Sequence, residues 1–310
     1  MKGKQKTGPI RCRPHKRGKL PASPGITPPR PGQCDGVMTP VGCCRCRPPQ
    51  SPSFPFFLSN QAFAPLLAGQ GTTGGAALTE KPFMPGYQVK VETLMIGGAE
   101  YQIRSLLDLQ QFSDPDGEAE RLGISSATWP LFGLVWPSAQ VLAAAMHTQP
   151  LEGRRVLEIG AGLALASLVL HQRDADVTAS DCHPLAAQFM QENLKLNQLG
   201  PMVYQTGHWA GSNPALGQFE LIIGSDVLYE RDQPEQLAGF IDCHSSASVE
   251  VMIVDPDRGQ RSRFCQAMAA RGYRHHARRA DCQLPGGQAY RGRFLYFLRG
   301  DASPPDPLPG

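Results

Sequence analysis

The chain has 310 residues, of which 41% are hydrophobic, so it can bury the core of one large domain or two small ones. Its charge is uneven: residues 1–79 carry eleven basic residues and one acid, whereas residues 80–310 carry nineteen basic and twenty-six acidic residues. No uninterrupted apolar run approaches the roughly 20 residues of a membrane helix, and the basic N-terminus lacks the apolar core of a secretory signal. We therefore expect no membrane span and no membrane partner.

Residues 1–83 are rich in proline, glycine, serine and basic residues and show no hydrophobic periodicity. Their prolines lack backbone donors and fix φ, which excludes helices and sheet ladders, so we predict a disordered tail. Five of the nine cysteines lie here without the paired C-x2-C spacing of a zinc site, and no metal is expected. Nucleic-acid binding is expected, if anywhere, only through this basic tail. A functional chain that begins near Met84 is an open alternative.

Residues 84–150 are predicted to form a β-hairpin and a helix that precede the main domain. The stretch YQVKVETLMIGGAEYQIRSL alternates polar and apolar residues around Gly97 and Gly98, a pattern typical of a β-hairpin. A helix is predicted to follow Pro137, because proline favours the first helical position.

Strand and helix patterns alternate from residue 151 to residue 300. The predicted strands are RRVLEIG, ADVTASD, MVYQTG, FELIIGSDVLY, VEVMIVDP and RGRFLYFLRG, and a helical pattern follows the first, second, fourth and fifth of them. This alternation predicts an α/β fold with a doubly wound, mostly parallel sheet, in which a ligand binds outside the carboxyl ends of the strands. Residues 301–310 are predicted to be a disordered C-terminal tail.

A glycine turn follows the first strand of the predicted sheet. Gly160 and Gly162 fit a dinucleotide fingerprint, but its third glycine position is Leu165, which weakens a nicotinamide interpretation. Glu158 stands at the end of that strand, and a buried carboxylate is costly unless it is paired. A cofactor with a sulfonium cation would supply a partner for Glu158; the alternative is that Glu158 is a strand-end acid satisfied within the protein and that Asp181 caps the helix before Pro184. Asp181 ends the second strand and could accept hydrogen bonds from the ribose hydroxyls of either cofactor.

The motifs VLEIGAG, VTASD and IIGSDVLYE, together with LVWPSA upstream, resemble those of seven-β-strand (class I) S-adenosylmethionine-dependent methyltransferases. Within them the sequence is most similar to methyltransferase family 16, which includes protein-lysine methyltransferases. The resemblance covers about residues 87–300 and implies a seven-stranded Rossmann-like sheet with S-adenosyl-L-methionine as cofactor. The cofactor-binding residues that it implies are Trp136, Gly160, Ala161, Gly162, Asp181, Trp209 and Ser225, to which the charge argument adds Glu158.

Two positions depart from the family pattern. The third small position of the glycine turn is usually glycine and is Ala164 here, which is nearly as small. The residue before Trp209 is often acidic or polar in the family and binds the adenine amino group. Because His208 stands there, we expect a backbone carbonyl to bind the adenine instead.

The motif SDVLYE follows the fourth strand, where the topology of the sheet places a substrate. By resemblance, Asp226 belongs to the family's D-[VIL]-x-Y signature and orients or accepts a proton from the target nitrogen, while Tyr229 lines the substrate channel. The alternative, in which Asp226 caps the following turn and Tyr229 packs against it, stays open. DPDRG at residues 255–259 is predicted to be a plain βα loop rather than a wall of the pocket.

These observations predict a monomeric S-adenosylmethionine-dependent methyltransferase with residues 151–300 as its cofactor-binding domain. The expected acceptor is a protein side chain such as lysine, by resemblance only, and the protein substrate is not identified. Methylation of a small molecule by the same site is the main alternative, and a nicotinamide-dependent oxidoreductase or a nucleic-acid-binding module are weaker ones. Cys182, Cys243, Cys265 and Cys282 are scattered, as reduced thiols of a cytoplasmic protein would be.

Overall fold

The computed structural model describes residues 86–211, 213–231 and 233–302. The predicted tail of residues 1–83 and most of the predicted C-terminal tail lie outside the described residues. The strands are β1 (Val89–Ile96), β2 (Ala99–Leu106), β3 (Val156–Ile159), β4 (Val177–Asp181), β5 (Val203–Thr206), β6 (Phe219–Ser225), β7 (Ser245–Asp255), β8 (Arg274–Arg279), β9 (Cys282–Gln283), β10 (Ala289–Tyr290) and β11 (Arg293–Arg299). The α-helices are α1 (Glu118–Arg121), α2 (Pro137–Thr148), α3 (Leu165–Gln172), α4 (Ala186–Leu196), α5 (Gln233–His244) and α6 (Arg261–Ala269). Two 3₁₀ helices span Trp129–Gly133 and Pro214–Leu216.

Seven strands form the central sheet in the order β5-β4-β3-β6-β7-β11-β8. Strand β11 is antiparallel to both of its neighbours, whereas the ladders among the other strands are parallel. The chain runs outward from β3 to β5 and then returns to β6, so its direction of winding reverses between β3 and β6. The predicted doubly wound, mostly parallel seven-stranded sheet is therefore confirmed.

The middle strands are buried on both faces, because successive residues of a strand point to opposite sides. In β6, Leu221 and Ile223 belong to one apolar cluster, and Ile222 between them belongs to the other. Helices on each side cover these clusters, which explains why the middle strands read as continuous apolar runs. The core thus holds the carboxyl ends of β3 and β6 rigidly side by side.

The predicted N-terminal hairpin is confirmed as β1 and β2. Ile96 pairs with Ala99, which leaves Gly97 and Gly98 as a two-residue turn with φ values of 59° and 86°. A turn that needs two positive φ angles favours glycine at both positions, since glycine has no Cβ to clash there.

Two asparagines of α4 and its C-cap join this hairpin to the main domain. Asn193 accepts the Arg104 N–H at 2.7 Å and donates to the Arg104 carbonyl at 3.3 Å. Asn197 makes the same pair of bonds with Gln102, at 2.8 Å each. Residues four apart on a helix share one face, as do alternate residues on a strand, so the two side chains satisfy the open edge of β2.

By length and composition alone, the stretch Trp129–Thr148 is long and apolar enough to cross a membrane. The sequence alone did not identify it, because polar residues interrupt its apolar runs. However, 56% of its most apolar 18-residue window is buried within the protein. The side chains of Leu142, Ala143 and Met146 on α2 are fully buried in the core. This is the burial of a core helix.

The cysteines correct one expectation. Cys182, Cys265 and Cys282 are free thiols, but Cys243 is disulfide-bonded. The predicted reduced state is therefore wrong at Cys243. The cytoplasmic location, which rested partly on these thiols, stays a prediction.

Candidate active site

A cavity of about 500 Å³ opens at the carboxyl ends of the parallel strands. The residues that follow β3, β4, β5, β6 and β7 all contribute to its lining, and the first of these strands lies where the winding of the sheet reverses. Open α/β sheets bind their ligands at this position. The structure brings together every predicted site residue except Glu158: Trp136, Gly160, Ala161, Gly162, Asp181, Trp209, Ser225, Asp226 and Tyr229 line the cavity.

The glycine turn after β3 allows two close approaches of the backbone. Gly160 and Gly162 have φ values of 56° and 54°, a region that residues with a side chain rarely adopt. A Cβ on Gly160 would lie 2.8 Å from the Val227 side chain, and a Cβ on Gly162 would lie 2.7 Å from the Phe132 carbonyl oxygen. The turn therefore exposes its backbone to the cavity at positions where side chains have no room.

Asp181 connects the ends of β3 and β4. Its carboxylate accepts the Gly162 N–H at 2.8 Å and the His183 N–H at 2.9 Å. Burial raises the pKa of Asp181, and these backbone donors oppose that rise. Each carboxylate oxygen has a further lone pair, so Asp181 can still accept hydrogen bonds from a ligand in the cavity. Both the position and the chemistry suit a ribose.

Glu158 is placed differently from the prediction. It is 2% exposed and does not line the cavity. Its carboxylate accepts bonds from the Ser167 backbone N–H at 2.7 Å and from the Ser167 hydroxyl at 2.5 Å, in the first turn of α3. The charge argument from the sequence is therefore corrected: Glu158 holds the N-terminus of α3, where a carboxylate suits the unpaired amides and the helix dipole.

The two predicted tryptophans form walls of the cavity. The Trp136 indole N–H donates to the Leu131 carbonyl at 2.7 Å, which fixes the ring just before α2 begins. Trp209 approaches the glycine turn so closely that a Cβ on Gly160 would lie 3.3 Å from its ring. These rings provide flat apolar surfaces beside the exposed backbone of the turn.

His208 lies beside Trp209 at the cavity and is held by Asn213. The His208 N–H donates to the Asn213 side-chain oxygen at 3.0 Å, and the Asn213 amide donates to the His208 carbonyl at 2.9 Å. The His208 carbonyl also accepts the Gly211 N–H at 3.0 Å, so both of its lone pairs are engaged within this loop. Binding of the adenine by a backbone carbonyl stays a prediction.

Ser225, Asp226 and Tyr229 line the side of the cavity that follows β6. Asp226 has a φ of 53°, and its N–H donates to the Val254 carbonyl at 2.9 Å. A non-glycine residue in this left-handed region costs about 1 kcal/mol or more, so the surrounding structure must hold it. Desolvation raises the pKa of Tyr229 to about 12, although 44% of the residue is exposed, so its phenol is neutral at neutral pH.

Reasoning from the sequence missed His183. Its ring stacks on Phe132 with centroids 3.6 Å apart, and its Nδ1 accepts the Leu185 N–H at 3.2 Å. Burial lowers the pKa of His183 to about 3, so the ring is neutral and Nε2 carries the proton. That Nε2 is buried without a hydrogen-bond partner among the described residues. Only its position two residues after Asp181 could have indicated it.

The loop after β7 is also more than the plain connection that the sequence predicted. Arg258 lines the cavity and pairs with Asp226 through two bonds, Nε to Oδ1 at 2.5 Å and Nη2 to Oδ2 at 2.7 Å. The DPDRG loop therefore contributes Arg258 to the lining of the cavity. Because β7 and β6 are parallel neighbours, their carboxyl ends bring these two loops together.

The residues present fit S-adenosyl-L-methionine. The cavity lies within the usual size of a small-molecule site, its glycine turn leaves backbone room, and Asp181 offers acceptors for ribose hydroxyls. Among the residues that the structure describes, no cluster of three histidine, cysteine or acidic side chains could hold a metal ion.

Comparison with known proteins finds similarity to methyltransferases that act on proteins. Residues 125–271 match the lysine methyltransferase family model. A relative in Rattus norvegicus, the electron transfer flavoprotein beta subunit lysine methyltransferase, is 29% identical over 145 residues, which cover 46% of this chain and 56% of the relative. The histone-arginine methyltransferase METTL23 of the same species is 35% identical over 111 residues, which cover 33% of this chain and 49% of the relative. The chain thus aligns with about half the length of these relatives.

One similar solved structure is the T. thermophilus 16S rRNA N2 G1207 methyltransferase in complex with AdoMet and guanosine. The two chains are 15% identical with a TM-score of 0.45, and the match covers 69% of this chain and 51% of that chain. The expected resemblance is confirmed by the family match and the strand order, and it implies S-adenosyl-L-methionine as the cofactor. Residues 125–271, just under half of the chain, are thus similar to the lysine methyltransferase family.

Proposed function

We propose that the chain is an S-adenosylmethionine-dependent methyltransferase that methylates a nitrogen of a protein side chain, with lysine as the favoured acceptor. The observation that carries this proposal is the cavity itself, which the glycine turn and Asp181 line together with Asp226 and Tyr229 at the switch point of the sheet. The relatives support a protein acceptor, since one is named for lysine and the other for arginine.

The bound cofactor would supply a methyl group already activated by a positively charged sulfur. The protein then has to align an acceptor lone pair with the carbon–sulfur bond and exclude water, and good alignment can lower such a barrier by roughly 7–11 kcal/mol. Asp181 would hold the ribose, and the turn of Gly160, Ala161 and Gly162 would receive the amino-acid part. Trp136 and Trp209 would enclose the ligand.

The acceptor amine must reach the cavity without its proton. Lysine has an unperturbed pKa of ~10.4, and burial against apolar walls lowers that value. Asp226 and the neutral phenol of Tyr229 can accept or donate hydrogen bonds that orient the nitrogen. The amine would lose its proton to solvent before it attacks, and transfer would break the carbon–sulfur bond as the nitrogen–carbon bond forms, with S-adenosylhomocysteine as the leaving group.

Binding of S-adenosylhomocysteine to the full chain, measured by calorimetry, tests the cofactor site. We expect micromolar binding that falls at least tenfold in Asp181→Ala, while the exposed control Asp176→Ala binds as the unmutated chain does. Asp181→Asn keeps one acceptor oxygen for the backbone amides and separates lost folding from lost binding. A folded chain that binds NADH and not S-adenosylhomocysteine would refute the proposal.

The acceptor class needs a second measurement. Transfer of a labelled methyl group from S-adenosylmethionine to a cell extract, with and without prior protease treatment, separates a protein acceptor from a small molecule. Label in intact protein that disappears after proteolysis of the extract is expected. A cytoplasmic location and a monomeric state stay predictions.

A further inference from the structure

We call the part of the cavity lined by Ser225, Asp226 and Tyr229 the acceptor side, because the methyl-accepting nitrogen is proposed to bind there. Arg258 lies on this side. Its guanidinium binds both oxygens of Asp226, with the Asp226 side chain 11% exposed and that of Arg258 44% exposed. The same guanidinium lies 5.9 Å from the centre of the Trp136 ring. Among the described residues that line the cavity, Arg258 is the one lysine or arginine.

The loop that carries Arg258 is held by its neighbour. Asp257 pairs with Arg261, with Arg279 at 3.5 Å and with Arg293 at 3.3 Å. Asp257 and Gly259 have φ values of 63° and 96°, which turn the loop sharply on both sides of Arg258. Asp257 thus ties the loop beside Arg258 to α6, β8 and β11.

The other ionisable groups around the pair contribute little free charge. Asp255 is 1% exposed, and burial raises its pKa. Burial also raises the pKa of Tyr290 to about 12, so that phenol is neutral. After β6, Tyr229 is neutral. Glu230 also lines the cavity, but it is exposed, so solvent and salt screen its charge. The paired charges of Asp226 and Arg258 thus dominate the acceptor side.

An unpaired Asp226 would work against methyl transfer to an amine. A carboxylate within about 4–6 Å favours the charged form of an amine by one to three pKa units, and an ammonium has no lone pair to attack carbon. A carboxylate whose charge is balanced by a guanidinium can still accept a hydrogen bond but holds a proton on the amine much less strongly.

We propose that Arg258 is a positioning residue that balances the charge of Asp226, so that the acceptor side of the cavity orients an incoming amine without trapping it as an ammonium ion. This inference rests on the proposed function. It assigns to the DPDRG loop a part in selecting the protonation state of the acceptor.

Sinefungin tests the inference without the unknown acceptor. In this analogue an amine-bearing carbon replaces the methylated sulfur, so the amine stands where the transferred methyl group stands and reports the charge there. S-adenosylhomocysteine lacks the amine and serves as the reference ligand. The measured quantity is the ratio of the two affinities, from calorimetry on the full chain between pH 6 and pH 10.

In Arg258→Gln we expect the preference for sinefungin over S-adenosylhomocysteine to rise about tenfold, because the ammonium then faces an unpaired Asp226. The pH at which that preference disappears should rise by about one unit. Asp226→Asn should lower the preference about tenfold, and the double variant should return it close to that of the unmutated chain. Arg271→Gln, which breaks a pair with Glu235 away from the cavity, is the matched control.

Each outcome separates the inference from the proposed function. If the unmutated chain binds neither ligand, the proposed function fails. If S-adenosylhomocysteine binds within about threefold to all variants and the ratio and its pH dependence do not change, the inference is overturned and the proposed function stands. A parallel loss of both affinities in Arg258→Gln that the double variant does not reverse would give Arg258 a purely structural role, which also overturns it.

Discussion

Glu158 makes the folded protein sensitive to pH in a direction that can be measured. Burial raises the pKa of this carboxyl from 4.5 to about 7 in the folded protein, although both bonds from Ser167 oppose the rise. The unfolded chain exposes the group, and there its pKa stays near the ordinary value. The folded state therefore binds more protons than the unfolded state between about pH 4.5 and pH 7, and the free energy of unfolding falls as the pH rises through that window.

The perturbation is Glu158→Gln. Glutamine keeps an oxygen that can accept both bonds from Ser167 but never ionises. A difference of about 2.5 pKa units corresponds to about 3 kcal/mol at 1.36 kcal/mol per unit, so the variant should be more stable than the unmutated chain by up to about 3 kcal/mol at pH 8. At pH 4.5 the two proteins should differ by less than 1 kcal/mol.

Urea unfolding at several pH values measures this difference, with the exposed Glu100→Gln as control. Because Glu158 does not line the cavity, S-adenosylhomocysteine affinity should change less than about threefold in Glu158→Gln. A variant that is equally stable or less stable at pH 8 would show that the carboxylate is well solvated or paired. A large loss of ligand affinity would instead restore the interpretation drawn from the sequence, in which Glu158 serves the cofactor.

Two further predictions concern the glycine turn and the hairpin. Gly162→Ala should lower S-adenosylhomocysteine affinity at least tenfold by calorimetry, because the new methyl group would lie 2.7 Å from the Phe132 carbonyl at a φ of 54°; unchanged affinity would mean that the turn shifts freely. Asn193→Ala should cost about 2 kcal/mol in urea unfolding, because it leaves both backbone groups of Arg104 without their buried partner, and the more exposed Asn197→Ala should cost less. Equal costs for the two asparagine variants would contradict this account.

The sequence predicts the main features of the cavity because a parallel sheet brings the carboxyl ends of its strands to one edge. Gly160, Asp181, Trp209 and Asp226 are far apart in the chain, yet each follows a strand end, so identifying the strands was enough to place them together. Turn chemistry was equally informative for Gly97 and Gly98, because few residues adopt two positive φ angles in succession.

Side-chain direction is what sequence patterns do not determine. Glu158 lies at a strand end like Asp181, but its partner Ser167 lies nine residues further on in α3, and only the packing of that helix decides that the carboxylate turns away from the cavity. Similarly, the asparagines that hold β2 lie about ninety residues from their partners. A helix pattern identifies the face that carries them, but not the strand that the face will meet.

The acceptor side of the cavity shows the same limit with a functional consequence. The sequence places two acids, Glu158 and Asp226, near the site. In the structure Glu158 accepts a hydrogen bond from Ser167, and Asp226 forms an ion pair with Arg258. Asp181 lines the cavity with only backbone amides as donors, so it keeps a charge that no arginine or lysine balances. Among these three acids, attraction for a cationic cofactor therefore falls on Asp181, while Glu230 adds an exposed carboxylate at the cavity. At Asp226 the negative charge is balanced by Arg258, which suits the binding of a neutral amine.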